Sequence, residues 1–188
     1  MRHALVMETY VFCDATYVQA QVRGPVVSQE IMVAIGVRTD GDREVLGCEV
    51  GDSEDGTFWT AFLRELRERG LGDVRFVISQ HPLSLRFAAE NVFIGATWQR
   101  CRVHFLRNAL ARVPKGRTQM VAAAIRTIFA QSDAAHVETQ LDVVADTLGF
   151  GFPEVAKMVA GAKDDLRAFR EFPIAHWPKI WSTNPWNA

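Results

Sequence analysis

Cysteine is scarce in this chain: three residues in 188, Cys13, Cys48 and Cys101, with no C-x-x-C pair. So odd and widely spaced a set argues against a disulfide framework and against a four-thiolate zinc site. Long hydrophobic runs are also missing. None reaches the length needed to span a bilayer, and no secretory signal precedes the first strand candidate, so a cytoplasmic protein is expected. Apolar residues are not in short supply, at 48% against 23% charged. Those proportions exclude a disordered or collagen-like polymer, and the length suits one domain with at most a small insert around a real core.

A third absence is local. Residues 91–132 contain no acid but seven cations, Arg100, Arg102, Arg107, Arg112, Lys115, Arg117 and Arg126, while the whole chain carries a net charge of only -1. The preceding 90 residues are net -5 and the following 56 net -3. A basic block inside a near-neutral protein points to a polyanion, nucleic acid first, although solvated helix faces produce the same composition.

The first half reads as strands with helices between them. Thr9 to Asp14 and the apolar run Ile31 to Val37 are strand candidates, and the second reads as buried on both faces. Thr39-Asp40-Gly41-Asp42 supplies a turn, and Glu44 to Val50 returns as the other arm of a hairpin. Ser53 is placed to cap a helix carrying Phe58, Trp59, Phe62, Leu63 and Leu66, with Gly70 to end it. Val74 to Ser79 is a short strand, Pro82 opens a helix to about Val92, and Ala96 to Gln99 is a short fifth strand. Beyond residue 100 four apolar stripes predict helices: Val103-Leu106-Leu110-Val113, then Val121-Ala124-Ile125-Ile128-Phe129, then Val137-Leu141-Val144-Leu148, then Val155-Met158-Val159-Ala162-Leu166-Phe169. This order matches an α/β, ribonuclease-H-like mixed sheet of three antiparallel strands plus parallel strands, with an all-helical insert.

Two places carry chemistry. Asp14 follows Tyr10-Val11-Phe12-Cys13, and a carboxylate beside a buried strand needs a pair, hydrogen bonds or a metal. It reads as a magnesium ligand or as a turn-initiating Asp. The densest stretch is Trp98-Gln99-Arg100-Cys101-Arg102-Val103-His104. On a helix starting near Cys101, Cys101 and His104 lie about 60° apart, roughly opposite the Val103-Leu106-Leu110 stripe and so away from its core. The pair reads as half a zinc site, as a thiol with its base, or as polar packing beside a DNA-contacting surface. There Trp98 is placed to stack on a distorted base, or is plain core, and Arg100, Arg102 and Arg107 are placed to pair with phosphates.

Taken in order, the segments around Asp14, Val33-Ala34-Ile35-Gly36-Val37, Arg43-Glu44-Val45-Leu46-Gly47, Phe58-Trp59, Leu66-Arg67-Glu68-Arg69-Gly70-Leu71, Trp98 to Phe105, Phe172-Pro173, His176-Trp177 and Ser182-Thr183-Asn184-Pro185 resemble the catalytic region of Mutator-type bacterial insertion-element transposases. The resemblance covers nearly the whole chain and includes the family's C-x-x-H element at Cys101 and His104. It implies a ribonuclease-H-like core over 1–112, a helical insert over 113–170 and the start of a truncated final catalytic helix over 171–188. It also implies three acids holding two Mg²⁺ ions, and DNA strand cleavage followed by strand transfer onto target DNA.

The sequence departs from that pattern at two of the three acids. Asp14 stands at the first. Gln80 occupies the second position, in Ser79-Gln80-His81-Pro82-Leu83-Ser84, and Asn187 occupies the third, in Asn184-Pro185-Trp186-Asn187. Two dications about 4 Å apart repel by about 16 kcal/mol at an effective dielectric of about 20. Gln and Asn lend carbonyl oxygens but no charge against that. Asp73 starts the strand whose far end carries Gln80 and is no substitute. The family also has DNA-end-binding helices before this region and further chain after it. The expectation is a truncated copy with little or no catalysis and doubtful Mg²⁺ binding. The alternative is a retained non-catalytic protein that binds DNA or pairs with an intact transposase of the family. Trp177, Trp181 and Trp186 are expected to be short of cover, favouring self-association.

Overall fold

The computed structural model describes residues 8–21, 26–38, 43–51, 56–80, 83–181 and 183. The chain divides into two compact units, 1–98 and 99–188.

The first unit is built on three antiparallel strands, β1 (Glu8–Gln21), β2 (Val26–Arg38) and β3 (Arg43–Gly51). The pairing of β1 with β2 places Phe12 opposite Ile35 and Asp14 opposite Val33. β4 (Phe76–Ser79) then lies parallel to β1, with Cys13 opposite Ser79. β5 (Thr97–Arg100) completes a five-stranded mixed sheet in the order β3-β2-β1-β4-β5. The α/β class and the hairpin expected from the sequence are therefore present. The strands are longer than the apolar runs suggested. β1 does not end at Asp14, because Thr16, Tyr17 and Val18 continue the ladder against Ile31, Glu30 and Gln29. These are β-branched and aromatic residues that favour extended backbone even on exposed arms.

Helix α1 (Gly56–Glu68) buries Trp59, Phe62, Leu63 and Leu66, a stripe at helical spacing. It ends where Gly70 takes a left-handed φ of 103°. Ser53 and Pro82, expected to start α1 and α2, lie outside the described residues. α2 (Ser84–Val92) buries Leu85, Ala88, Ala89 and Val92. Both helices share one apolar core with Val11, Cys13, Met32, Leu46 and Val77 of the sheet. Arg67 donates to the Val92 carbonyl at 2.9 Å and Arg69 to that of Leu46 at 2.8 Å, so the end of α1 is tied to α2 and to β3.

The second unit is helical after β5: α3 (Arg102–Leu110), α4 (Thr118–Ile128), α5 (Ala134–Gly149), α6 (Pro153–Gly161), α7 (Lys163–Arg167) and α8 (Trp177–Ile180), with 3₁₀ turns between several of them. The third stripe is buried as read: Val137, Leu141, Val144 and Leu148 all face inward on α5. The first stripe is corrected. α3 buries Phe105 and Ala109, while Val103 is 43% exposed. Cys101 lies one turn before Phe105 and is fully buried too. It is therefore Cys101, Phe105 and Ala109, at four-residue steps, that face the core. The aromatic ring outweighs a lone Val in choosing the buried side. Trp177 is well covered, at 4% exposed, and packs edge-on against Phe169 at 5.0 Å. Trp181 is half-buried, and Trp186 lies outside the described residues.

Candidate functional site

The first candidate lies where β1 and β4 run parallel. Their register ends at Cys13 opposite Ser79; Asp14 is the next residue of β1, and Gln80 is the residue that leaves β4. The fold thus brings together two of the three positions singled out by the family pattern. Asp14 is half-buried, and its Oδ1 accepts from the Ala15 amide at 3.0 Å. Gln80 points its amide nitrogen at β1 and donates to the Ala15 carbonyl. Donation to this carbonyl needs a side-chain N–H or O–H, and an ionised carboxylate has neither. Cys13, which precedes Asp14 on β1, is buried. Burial, and then the Asp14 charge, push its thiol up to about 12, so it stays protonated at neutral pH. Asp73 is exposed, has a positive φ of 51° and precedes β4, at the end away from Gln80. The third position, Asn187, lies outside the described residues.

This donor set does not fit a pair of Mg²⁺ ions. One carboxylate and one amide whose nitrogen faces the strand give too little negative charge for two dications. Among the described residues no three or more His, Cys, Asp or Glu side chains group so as to hold a metal ion. The same holds for zinc at Cys101 and His104.

Trp98 belongs to the core of the first unit, at 6% exposed. Its indole N–H donates to Ser79 Oγ at 3.0 Å, and the Arg86 guanidinium lies 5.7 Å from the ring centroid. It thereby links β5 to the end of β4, next to Gln80.

The second candidate is the start of α3, inside the second unit. Cys101 Sγ accepts from the Thr183 amide at 3.2 Å and from its hydroxyl at 3.4 Å. The Arg102 amide donates to the Trp181 carbonyl at 2.9 Å. These bonds clamp residues 181–183 to the helix start. A fully buried sulfur held this way has no route to a substrate, so it acts as an acceptor that holds the segment. His104 is half-buried on the next turn. Gln99 is fully buried, and its carbonyl oxygen accepts from the Phe169 amide at 3.0 Å, capping the turn that follows α7.

The three arginines expected to meet phosphate differ in setting. Arg107 is exposed. Arg100 is half-buried, 5.2 Å from the Phe105 centroid, and burial lowers its pKa against the pull of Asp165. Arg102 stacks on Trp181, 3.7 Å from the ring centroid, and lies 5.6 Å from that of Phe129. Burial lowers its pKa to about 10; Cys101 raises it and the neighbouring Arg126 charge lowers it further. Arg112, Lys115, Arg117 and Arg126 are exposed as well, so the sequence shortlist missed cations that solvent reaches more freely than Arg100 and Arg102. Their spacing alone does not separate them from half-buried ones.

Comparison with known proteins gives one consistent answer. The family model described as Transposase, Mutator family matches residues 5–188. The transposase of insertion sequence element IS1081 from Mycobacterium tuberculosis is 39% identical over 177 residues, which are 94% of this chain and 43% of the relative. That of IS406 from Burkholderia multivorans is 32% identical over 93% of this chain and 45% of its own length. That of IS256 in transposon Tn4001 from Staphylococcus aureus is 36% identical over 66% of this chain and 32% of its own length. The chain thus spans less than half the length of the curated relatives it matches.

Proposed function

The chain belongs to the Mutator family of transposases, and from that premise we propose that it is a transposase catalytic-region protein that handles DNA but does not cut it. The carrying observation is that Asp14 and Gln80 each directly follow the last pair of the parallel β1–β4 register, Cys13 opposite Ser79, with Gln80 donating to the carbonyl of Ala15 next to Asp14. On this reading the mixed sheet is ribonuclease-H-like, residues 1–112 are its core and 113–170 a helical insert. Asp14 is the first acid, and Gln80 sits where the second would hold metal. This chain's residues do something else there: Gln80 gives its donor to the Ala15 carbonyl of β1, and Asp14 accepts from the Ala15 amide. DNA contact falls to the basic block, whose exposed members are Arg107, Arg112, Lys115, Arg117 and Arg126. The acid substitutions also favour a second role, pairing with an intact transposase without contributing catalysis.

Calorimetry with Mg²⁺ and Mn²⁺ tests the loss of catalysis. The expected result is no saturable binding by the chain itself and binding by Gln80→Asp/Asn187→Glu. Tight binding by the unmodified chain, abolished by Asp14→Ala, overturns it.

A further inference from the structure

The second unit holds a cleft that none of these roles uses. Its volume is about 550 Å³, and it is lined by Arg102, Val103 and Leu106 of α3, by Ile125, Arg126, Phe129 and Ala130 in and just after α4, and by Trp181. That volume lies within the range of small-molecule sites, about 300–1,000 Å³. The lining has two parts. Val103, Leu106, Ile125 and Phe129 make an apolar wall, and Arg102 and Arg126 make a cationic edge. Among the described residues no acidic side chain lines the cleft. Burial lowers the Arg102 pKa to about 10, and the Arg126 charge beside it lowers it further against the pull of Cys101.

We propose that this cleft binds one unpaired nucleotide of a DNA strand, its phosphate on Arg102 and Arg126 and its base against the apolar wall. The proposal rests on the DNA-handling reading and specifies which form of DNA is preferred. A paired duplex presents phosphates but hides the faces of its bases. Only an unstacked nucleotide offers an anion and a flat apolar surface together. The clamp at Cys101 has a part here. Through Thr183 it holds Trp181 in place, and the Trp181 ring orients Arg102 by stacking. An oriented arginine loses little further freedom when it meets a phosphate.

The test compares two oligonucleotide duplexes of equal length and charge, one fully paired and one with a single unpaired 2-aminopurine at its centre. Binding is read by anisotropy at fixed salt and by the 2-aminopurine emission. The expected result is about tenfold tighter binding of the unpaired form with a change in its emission. Val103→Trp, which fills the cleft at an exposed position without altering charge, should bring the unpaired form down to the affinity of the paired one, and Arg126→Gln should weaken the preference. Equal affinity for both duplexes with unchanged emission overturns the proposal and leaves the DNA-handling reading standing. No binding of either duplex sinks that reading and the proposal together. If Val103→Trp abolishes self-association in sedimentation and changes neither affinity, the cleft belongs to a second copy of the chain, and the proposal fails.

Discussion

Gln80 and Cys101 are each defined by one acceptor or donor function. Gln80 gives β1 a hydrogen bond at the Ala15 carbonyl. Replacing it with Leu removes the donor and should cost about 1 kcal/mol in urea unfolding, the usual net worth of such a bond. Gln80→Asp removes the same donor and sets a second negative charge beside Asp14. It should be less stable than Gln80→Leu at pH 7, with the gap closing as pH falls and the carboxylates protonate. Cys101 accepts twice from Thr183. Cys101→Ala leaves the buried Thr183 amide without its acceptor and should cost about 1–3 kcal/mol. Thr183→Ser keeps both donors and should be close to neutral. Residue types flagged both positions, but neither partner was legible: Ala15 lies 65 residues from Gln80 and Thr183 lies 82 from Cys101.

Among the elements, α5 follows its sequence most closely. Asp133 caps it, accepting from the His136 amide at 3.0 Å, and its four buried residues are the four that the periodicity selected. On its outer face Glu138 takes ion pairs from Arg167 and Arg170. The hydrogen bonds from His136 hold the Asp133 carboxyl below its ordinary range, and those from Arg170 and Arg167 do the same for Glu138. A folded-state pKa below the unfolded value means that the unfolded chain binds more protons in acid. The contribution is therefore present above the ordinary carboxylate range and is lost as pH falls through the folded values. Melting from pH 6.5 to 3 should show a steeper fall for the natural chain than for Asp133→Asn/Glu138→Gln, which keeps cap and hydrogen bonds without the charge. At the end of β3 the constraint is space. A Cβ on Gly51 would lie 2.1 Å from Phe58 Cε2. Gly51→Ala should cost about 1–3 kcal/mol by overpacking, and Phe58→Leu should recover part of it in a double-mutant cycle. Nothing in the local pattern of Phe58 announces this contact. α3 misled the periodicity because Val103 and Phe105 both propose a face, and three-dimensional packing chose the ring.

At the scale of the molecule, charge is segregated along the chain, and the acid-free block falls almost wholly in the second unit. If this block meets DNA, its affinity should fall steeply with salt. Reversing Arg107, Lys115 and Arg117 to Glu should lower the slope of log K against log salt by about 1 for each phosphate contact removed. These three are exposed, so the change tests binding rather than folding. Reversing Arg100 or Arg102 would not separate the two, because each is half-buried against an aromatic ring. An unchanged slope would remove the basic block from the account of DNA contact.

The sequence carried what depends on order and on local pattern: the α/β class, the hairpin, the inward stripe of α5, the basic block and the family. Each is a property of residue type, spacing or succession, which survive in one dimension. The tertiary structure decided what depends on approach between distant segments. It set Gln80 against Ala15 rather than leaving it open, turned Cys101 inward to grip Thr183, sank Trp98 into the core, and divided the arginines into exposed and half-buried. It also closed α3, α4 and Trp181 around a cleft that no motif marks. Packing against a nonlocal neighbour decides where a side chain points, and the neighbour's identity is not written beside it.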